Sequence, residues 1–494
     1  MKRTKVIATL GPAIDSESIL KNLILSGMDV ARFNFSHGLH AEHKARLDRL
    51  KKVRSELGIP VATMLDTKGP SIRTGKLAGG KDVFLCAGNN FRLTQEPIVG
   101  NERQVHQTCH DLYKYVEPGT IILIDNGLIE LAVDSVDGGD ICCTVQNPGT
   151  LKECKQLNLP NTIIELPVMT EQDEQDLRFA IEHEMDFVAA SFISCGKDIE
   201  EIRKFLADNG GGDIRIVAKI ENARAVKNID EIIAVSDAVM IARGDLGVEM
   251  PSHKVPQVQK EIIKACNIAY KPAIIATQML DSMINNPCPT RAELTDVANA
   301  IYDGADALML SGETAIGRYA TATVQTMVRI AQASEPYIYK EGSIPNRALD
   351  HEGISYVIAR TATTIAESLH AKCIVVPTVT GRSARLVSNY RPSVPVYAVT
   401  TSEAHCRSLQ LNWGVTPLCG QVEGEASFVL DQACSEVLKK GYVKKDDICV
   451  FTLGDRTTAP CAPAQPSHGA QVGRNASAPC PTNVVQVVQI GVER

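Results

Sequence analysis

Short apolar runs of strand length alternate with stretches of helical periodicity almost from the first residue. Residues 5–9 read as a strand. Residues 16–26 read as a helix with an acidic start, and Gly27 stops it. A second strand is expected at 30–35, a charged helix at 40–57, and a third strand at 61–65 that ends on Asp66-Thr67-Lys68-Gly69-Pro70. The rhythm then changes. From residue 74 to about 162 come turn dipeptides (Gly79-Gly80, Gly138-Gly139, Pro148-Gly149) and short β-branched runs at 120–124 and 141–145, the pattern of an all-β insert. A helix resumes at 170–184, with Thr170 and Asp173 in capping-box positions. Strands are then expected at 187–191, 214–220, 238–242, 273–276 and 307–310.

Three strands before the insert and five after it give eight β/α units, the count of a closed (β/α)8 TIM barrel. An open doubly wound sheet is the alternative, but it wants a glycine-rich phosphate loop after its first strand, and Gly11-Pro12 is not one. The expected organisation is a catalytic barrel from 1–73 and 163–345, an inserted all-β lid (a small β-barrel) at 74–162, and a C-terminal α/β regulatory domain at 346–494. In the last domain a helix at 354–370 and strands at 373–376, 396–399, 448–452 and 484–490 suggest a mixed sheet. The Pro-, Ala-, Ser- and Gly-rich stretch 454–481 has almost no apolar pattern and reads as a mobile loop.

Composition narrows the function classes. A length of 494 residues fits about three domains. A net charge of −7 with no long basic run argues against nucleic-acid binding. A charged fraction of 22% and a mean hydropathy of −0.04 describe an ordinary soluble enzyme, and no apolar run is long enough to span a membrane. The basic start Met1–Lys5 is followed by too short an apolar run for a secretory signal, and fifteen scattered cysteines read as reduced thiols of a cytoplasmic protein.

The candidate chemistry lies where strands end. In an extended strand Lys219 and Glu221 point to one face, and Asp245 follows the next strand. One ammonium and two hard carboxylates suit a divalent ion beside a phosphorylated substrate, although Lys219 and Glu221 also read as a structural ion pair. Arg32, Asn34 and Ser36 likewise share a face. Arginine offers a forked donor to phosphate, and Asn and Ser oxygens can ligate a monovalent cation. A polar edge strand is the bland alternative, which Phe33 and Phe35 on the other face oppose. Strand seven ends in Ala276-Thr277-Gln278-Met279-Leu280, and strand eight in Ser311-Gly312-Glu313-Thr314.

Six ordered segments together resemble the pyruvate kinase family: residues 32–38, 65–70, 218–222, 240–248, 276–283 and 310–314, with the β insert after the third strand. The resemblance covers about residues 1–453 and the last dozen. It implies phosphoryl transfer from phosphoenolpyruvate to ADP, giving pyruvate and ATP in the last step of glycolysis, by a cytoplasmic homotetramer. It further implies Mg2+ (or Mn2+) on Glu221 and Asp245, and K+ on Asn34, Ser36, Asp66 and Thr67. Lys219 and Arg32 would act on the phosphoryl group, Thr277 would assist enolate protonation, and Gly244 would present its backbone to the substrate carboxylate. The substrate would thus meet Arg32, Lys219, Gly244, Asp245 and Thr277. Asn34, Ser36, His37, Arg73 and Lys155 would meet the nucleotide, Lys155 being carried on the lid.

Two features depart from the family pattern. Many potassium-dependent members carry glutamate where this chain has Ser71, which points to activity without added K+. The stretch Thr378, Thr380, Gly381, Arg382 and Ser383 resembles the family's effector phosphate loop, yet residues 414–438 contain no lysine or arginine. One phosphorylated group is expected there, or else an ordinary helix-capping turn. Two other readings compete. A barrel lyase or aldolase would share the Glu/Asp metal pair but would not need Arg73 or Lys155. A non-catalytic binding protein would not need Lys219, Glu221, Asp245 and Thr277 together.

Overall fold

The computed structural model describes residues 2–160, 162, 164, 166–338, 353–454 and 482–491. Eight parallel strands, Lys5–Thr9, Val30–Asn34, Ala62–Asp66, Phe187–Ala190, Arg215–Ile220, Ala238–Ala242, Ala273–Ala276 and Ala307–Leu310, close into a barrel in which every strand pairs with its neighbours in sequence and the eighth pairs with the first. Strand alternation sorts the side chains. Ile7, Met64, Phe187, Met240, Ile274 and Met309 fill the interior. Ala8, Phe33, Leu65, Val188, Ile220 and Ile241 face outward and pack against the surrounding helices. Each large aliphatic side chain so buried contributes about 1.5–3 kcal/mol. Helix Glu17–Ser26 starts at Ser16, whose hydroxyl accepts from the Ile19 amide, and stops at Gly27, whose φ of 113° suits only glycine well. The reciprocal Thr170–Asp173 capping box forms as expected.

The insert has its own apolar core around Phe91, Ile122, Leu131 and Ile141. Its hydrogen-bonded strands form a six-stranded sheet, in the order Leu157–Asn158, Ile121–Ile124, Ile129–Asp137, Asp140–Val145, Asn90–Thr94, Gln104–His106, beside a two-stranded ladder of Val83–Leu85 with Gly149–Leu151. Its two short outer strands, one of two residues and one of three, are linked by the chain at 72–75, where Arg73 bridges to Gln156 and Thr74 to Gln107.

The C-terminal region carries a five-stranded mixed sheet in the order Val415–Cys419, Val396–Thr400, Cys373–Pro377, Ile448–Leu453, Val484–Gln489, with only the last strand antiparallel. Strand Val415–Cys419 was not expected, because Thr416 and Pro417 interrupt the apolar run. It lies at the sheet edge, where a residue without an N–H is tolerated. The loop expected at 454–481 and the domain boundary expected near 345 fall on 455–481 and 339–352, outside the described residues.

The base of the barrel follows a repeating rule. Asp29, Asp186, Asp237 and Asp306 stand just before strands two, four, six and eight. Each accepts a backbone N–H from the start of the preceding strand: Val6 at 2.7 Å, Thr63 at 2.8 Å, Ile216 at 2.9 Å and Ala273 at 3.0 Å. Segments from the C-terminal region close this end. Arg407 pairs with Asp186 at 2.7 Å, Arg391 with Asp306 at 2.6 Å, and Leu411 is buried with the barrel interior.

Candidate active site

The carboxyl ends of the strands carry a continuous ionic network on the inward face. Arg32 Nε donates to Asp66 Oδ2 at 2.7 Å, and Arg32 Nη1 donates to Thr9 Oγ1 at 2.9 Å. Lys219 Nζ lies 3.0 Å from Asp66 Oδ1, 2.8 Å from Glu221 Oε1 and 2.7 Å from Ser191 Oγ. The period-two argument for Lys219 and Glu221 therefore holds, and Asp66 joins both cations.

Burial opposes the charge of Lys219, but the adjacent carboxylates of Asp66 and Glu221 outweigh it and hold the ammonium above its ordinary value. Burial likewise works against ionised Asp66, yet Arg32 and Lys219 bring its carboxyl below the usual range. Glu221 and Asp245 behave differently. Burial raises both, Lys219 pulls both back, and the negative charge of Asp245 pushes Glu221 further up. Two carboxylates that resist ionisation side by side form an oxygen-rich donor pair suited to a divalent cation. Among the described residues there is no cluster of three or more His, Cys, Asp or Glu side chains able to hold a metal, so further ligands would be substrate or water oxygens.

Thr277 sits at the end of strand seven with φ of 69°, a strained conformation for a β-branched residue. Its hydroxyl accepts from the Gly244 amide at 2.8 Å and donates to the Ala276 carbonyl at 2.6 Å, while Arg243 holds the Thr277 carbonyl at 2.9 Å. The Gly244 N–H expected to face a substrate is thus occupied by Thr277 in this structure.

The residues expected at a monovalent cation are neighbours but engaged locally. Asn34 Oδ1 accepts from the Ser36 amide at 3.2 Å, and Thr67 Oγ1 accepts from the Ser191 amide at 3.1 Å. Burial first, then Arg73, Arg32 and Lys68, depress the His37 imidazole, so the mouth is electropositive on this side. Arg73 donates to Ser71 Oγ at 3.0 Å and to the Cys154 carbonyl of the insert at 3.1 Å. Lys155 lies on the insert and pairs with Asp125 at 2.9 Å. In the C-terminal region residues 378–383 form one turn. The Gly381 amide donates to Thr378 Oγ1 at 3.0 Å, Ser383 and Thr482 share a hydroxyl–hydroxyl bond, Arg385 donates to the Thr380 carbonyl, and Arg382 is exposed.

Three participants were missed in the sequence. Thr9 and Ser191 each follow the inward parity of their strands (Ile7, Thr9; Phe187, Ala189, Ser191), so alternation carried the signal. The third, the Phe192 amide that donates to Glu221 Oε2 at 2.7 Å, depends on a φ of 57° at Phe192 and left no trace in the sequence.

A family model described as pyruvate kinase, barrel domain, matches residues 1–324, and one described as pyruvate kinase, alpha/beta domain, matches residues 357–461. The chain is similar to the pyruvate kinase of Clostridium acetobutylicum, with 48% identity over 456 residues, covering 92% of this chain and 96% of that protein. It is 46% identical to the pyruvate kinase of Sporosarcina psychrophila over 457 residues, 92% of this chain and 78% of that protein. A crystal structure of a pyruvate kinase from Cryptosporidium parvum superposes with a TM-score of 0.87 at 35% identity, over 99% of this chain and 96% of that one.

Proposed function

The chain belongs to the pyruvate kinase family and is a phosphotransferase of glycolysis; on that premise we propose how its own residues divide the work. The observation that carries the reading is the Lys219 ammonium held between Asp66 and Glu221, with Asp245 beside them, at the carboxyl end of the barrel. Phosphoenolpyruvate binds there with its phosphoryl group toward Lys219 and Arg32. Their fixed positive charges neutralise the three phosphoryl oxygens as the group passes to ADP, and positioning of this kind is most of what phosphoryl transfer requires.

Glu221 and Asp245 hold Mg2+ or Mn2+, which when bound supplies further charge neutralisation to the substrate oxygens. The mutual disfavour of their two charges supports this. Asn34, Ser36, Asp66 and Thr67 hold K+. Thr277, locked by Gly244 and Ala276, hands a proton toward the enolate through water. Asn34, Ser36, His37, Arg73 and Lys155 meet the nucleotide, and Lys155 leaves Asp125 when the insert closes as a lid. The working division is a barrel of 1–73 and 163–345, a lid of 74–162 and a regulatory domain of 346–494. Thr378, Thr380, Gly381, Arg382 and Ser383 accept one phosphate of an effector, and the enzyme works as a cytoplasmic homotetramer.

Two half-reactions test the central assignment. Lys219→Met is expected to abolish pyruvate formation from phosphoenolpyruvate and ADP while still permitting solvent proton exchange at C3 of pyruvate. Loss of exchange with surviving transfer would reverse the roles of Lys219 and Thr277.

A further inference from the structure

Asp237 departs from Asp186 and Asp306, its counterparts before strands four and eight, while Asp29 is met by Lys2 and Lys5. Asp186 and Asp306 are each met by an arginine from the C-terminal region, whereas Asp237 is met by the barrel's own Arg203 at 2.9 Å and Arg215 at 3.7 Å. Two more cations approach the same spot. Lys271 enters strand seven from its base end and donates to the Ser236 carbonyl at 2.6 Å. Arg385, on helix Arg382–Asn389 of the C-terminal region, donates to the Thr380 carbonyl at 3.3 Å. Asp237 thus pairs with two of these cations, and its charge reaches the other two.

Two polar atoms in this seam lack a partner. Arg215 Nε is buried with no acceptor, and so is the hydroxyl of Ser236, a residue only 1% exposed. Native proteins rarely leave such groups unsatisfied, and a cluster of like charges with orphaned donors is the usual imprint of an anion. The seam is open enough for one to enter, since the Arg203 and Arg215 side chains keep 30% and 23% of their exposure. The energetics agree. Burial first, then the Arg215 charge, pushes the Arg385 guanidinium down to about 9, and burial likewise lowers Lys271, with Arg385, Arg203 and Arg215 adding to the effect.

We propose that the seam between the barrel base and helix Arg382–Asn389 binds a phosphate monoester dianion among Arg203, Arg215, Lys271 and Arg385, with the Ser236 hydroxyl as a further donor. This site does not depend on the effector reading of residues 378–383. Its ligands come from the barrel and from the face of the helix that Arg385 presents to it, whereas exposed Arg382 serves the turn. Because the anion would bridge barrel and C-terminal region, it would tighten the junction opposite the active site.

The test is calorimetric titration of the full-length enzyme with inorganic phosphate at matched ionic strength, with chloride as the reference anion. The turn variant Arg382→Ala should keep the seam's binding, whatever phosphate it loses at the turn. Lys271→Gln and Arg215→Gln should each weaken binding by about tenfold or more, the loss of one charged contact. Should Arg215→Gln fold poorly, Lys271→Gln still decides. Without phosphate, Lys271→Gln should melt no lower than wild type, because it relieves crowding among cations. Repeating the titration with a hexose monophosphate and with a nucleoside monophosphate identifies the source, since both share the dianion and the tighter one makes the extra contacts. Binding unchanged in both Gln variants, binding lost only in Arg382→Ala, or no binding at millimolar phosphate would each overturn the site.

Discussion

The two ends of the barrel bury similar ionic side chains and use them in opposite ways. At the base, Asp186 takes two hydrogen bonds from Thr63 and one from Arg407, and Asp306 takes one from the Ala273 amide and one from Arg391, so each carboxylate is matched by donors. At the mouth, Lys219 and Arg32 crowd Asp66, while burial is set against the charges of Glu221 and Asp245 and the Asp245 charge adds to it at Glu221. Satisfied pairs hold structure, whereas frustrated ones are held in place for chemistry that completes them. In a closed parallel barrel the same alternation serves both purposes, and strand direction decides which end becomes which.

The strongest way to break this contrast is at the mouth. Glu221→Gln should lower kcat by about a thousandfold, equivalent to ~4 kcal/mol of transition-state stabilisation. It should not lower Tm in metal-free protein, because it removes a charge that burial already disfavours. Steady-state assays at saturating Mg2+ together with melting curves check both halves. Near-normal turnover would remove Glu221 from the metal site.

The matching substitution at the base should invert the result. Arg407→Met leaves Asp186 buried beside Thr63 without its guanidinium and should cost about 3 kcal/mol of stability. Turnover per folded molecule should change little, since Arg407 lies at the opposite end of the barrel. Urea unfolding with parallel kinetics separates the two effects. A large fall in kcat at full stability would mean that base and mouth are coupled.

Asp237 gives the base a pH signature. Burial works against its charge, but Arg203, the Ile216 amide and Arg215 hold its carboxyl below the ordinary value of 3.8. A depressed folded-state value means that this stabilisation is fully present above the unfolded value and is lost as pH falls through the folded one. The stability gap between wild type and Asp237→Asn should therefore be constant near neutrality and shrink only below about pH 4. A gap that already closes between pH 7 and 5 would contradict the pairing.

The two ends were also unequally legible in the sequence. The mouth could be read because apolar runs ending abruptly in Arg32, Asp66, Lys219 and Glu221 obey a period of two, and Thr9 and Ser191 follow the same parity. The base could not. A single aspartate before an apolar run, as in Asp29-Val30 or Asp306-Ala307, looks like any turn residue until strand pairing brings it to the preceding strand's amide. Arg391, Arg407 and Leu411 reach the barrel from far along the chain, and no local pattern encodes such contacts. Thr277 was found as a hydroxyl at a strand end, but its positive φ and its hold on Gly244 belong to tertiary structure.

The smallest expected effect concerns Ser71, at the electropositive edge of the mouth. Its hydroxyl accepts from Arg73 Nε at 3.0 Å, and Arg73 in turn reaches the insert through the Cys154 carbonyl. A neutral hydroxyl leaves Arg73 free to hold the insert without a competing carboxylate. A glutamate at this position would add negative charge beside Arg73, and a bound monovalent cation would help to offset it. Appreciable activity is therefore expected in K+-free buffer, with added K+ raising kcat/KM by only a few-fold, about 1 kcal/mol or less for a partly solvated charge. Ser71→Glu should widen that ratio, and Ser71→Ala should leave it unchanged. The comparison is steady-state kinetics with K+ replaced by a bulky organic cation at constant ionic strength. Strict K+ dependence of the wild type would show that Asn34, Ser36, Asp66 and Thr67 set the requirement regardless of residue 71.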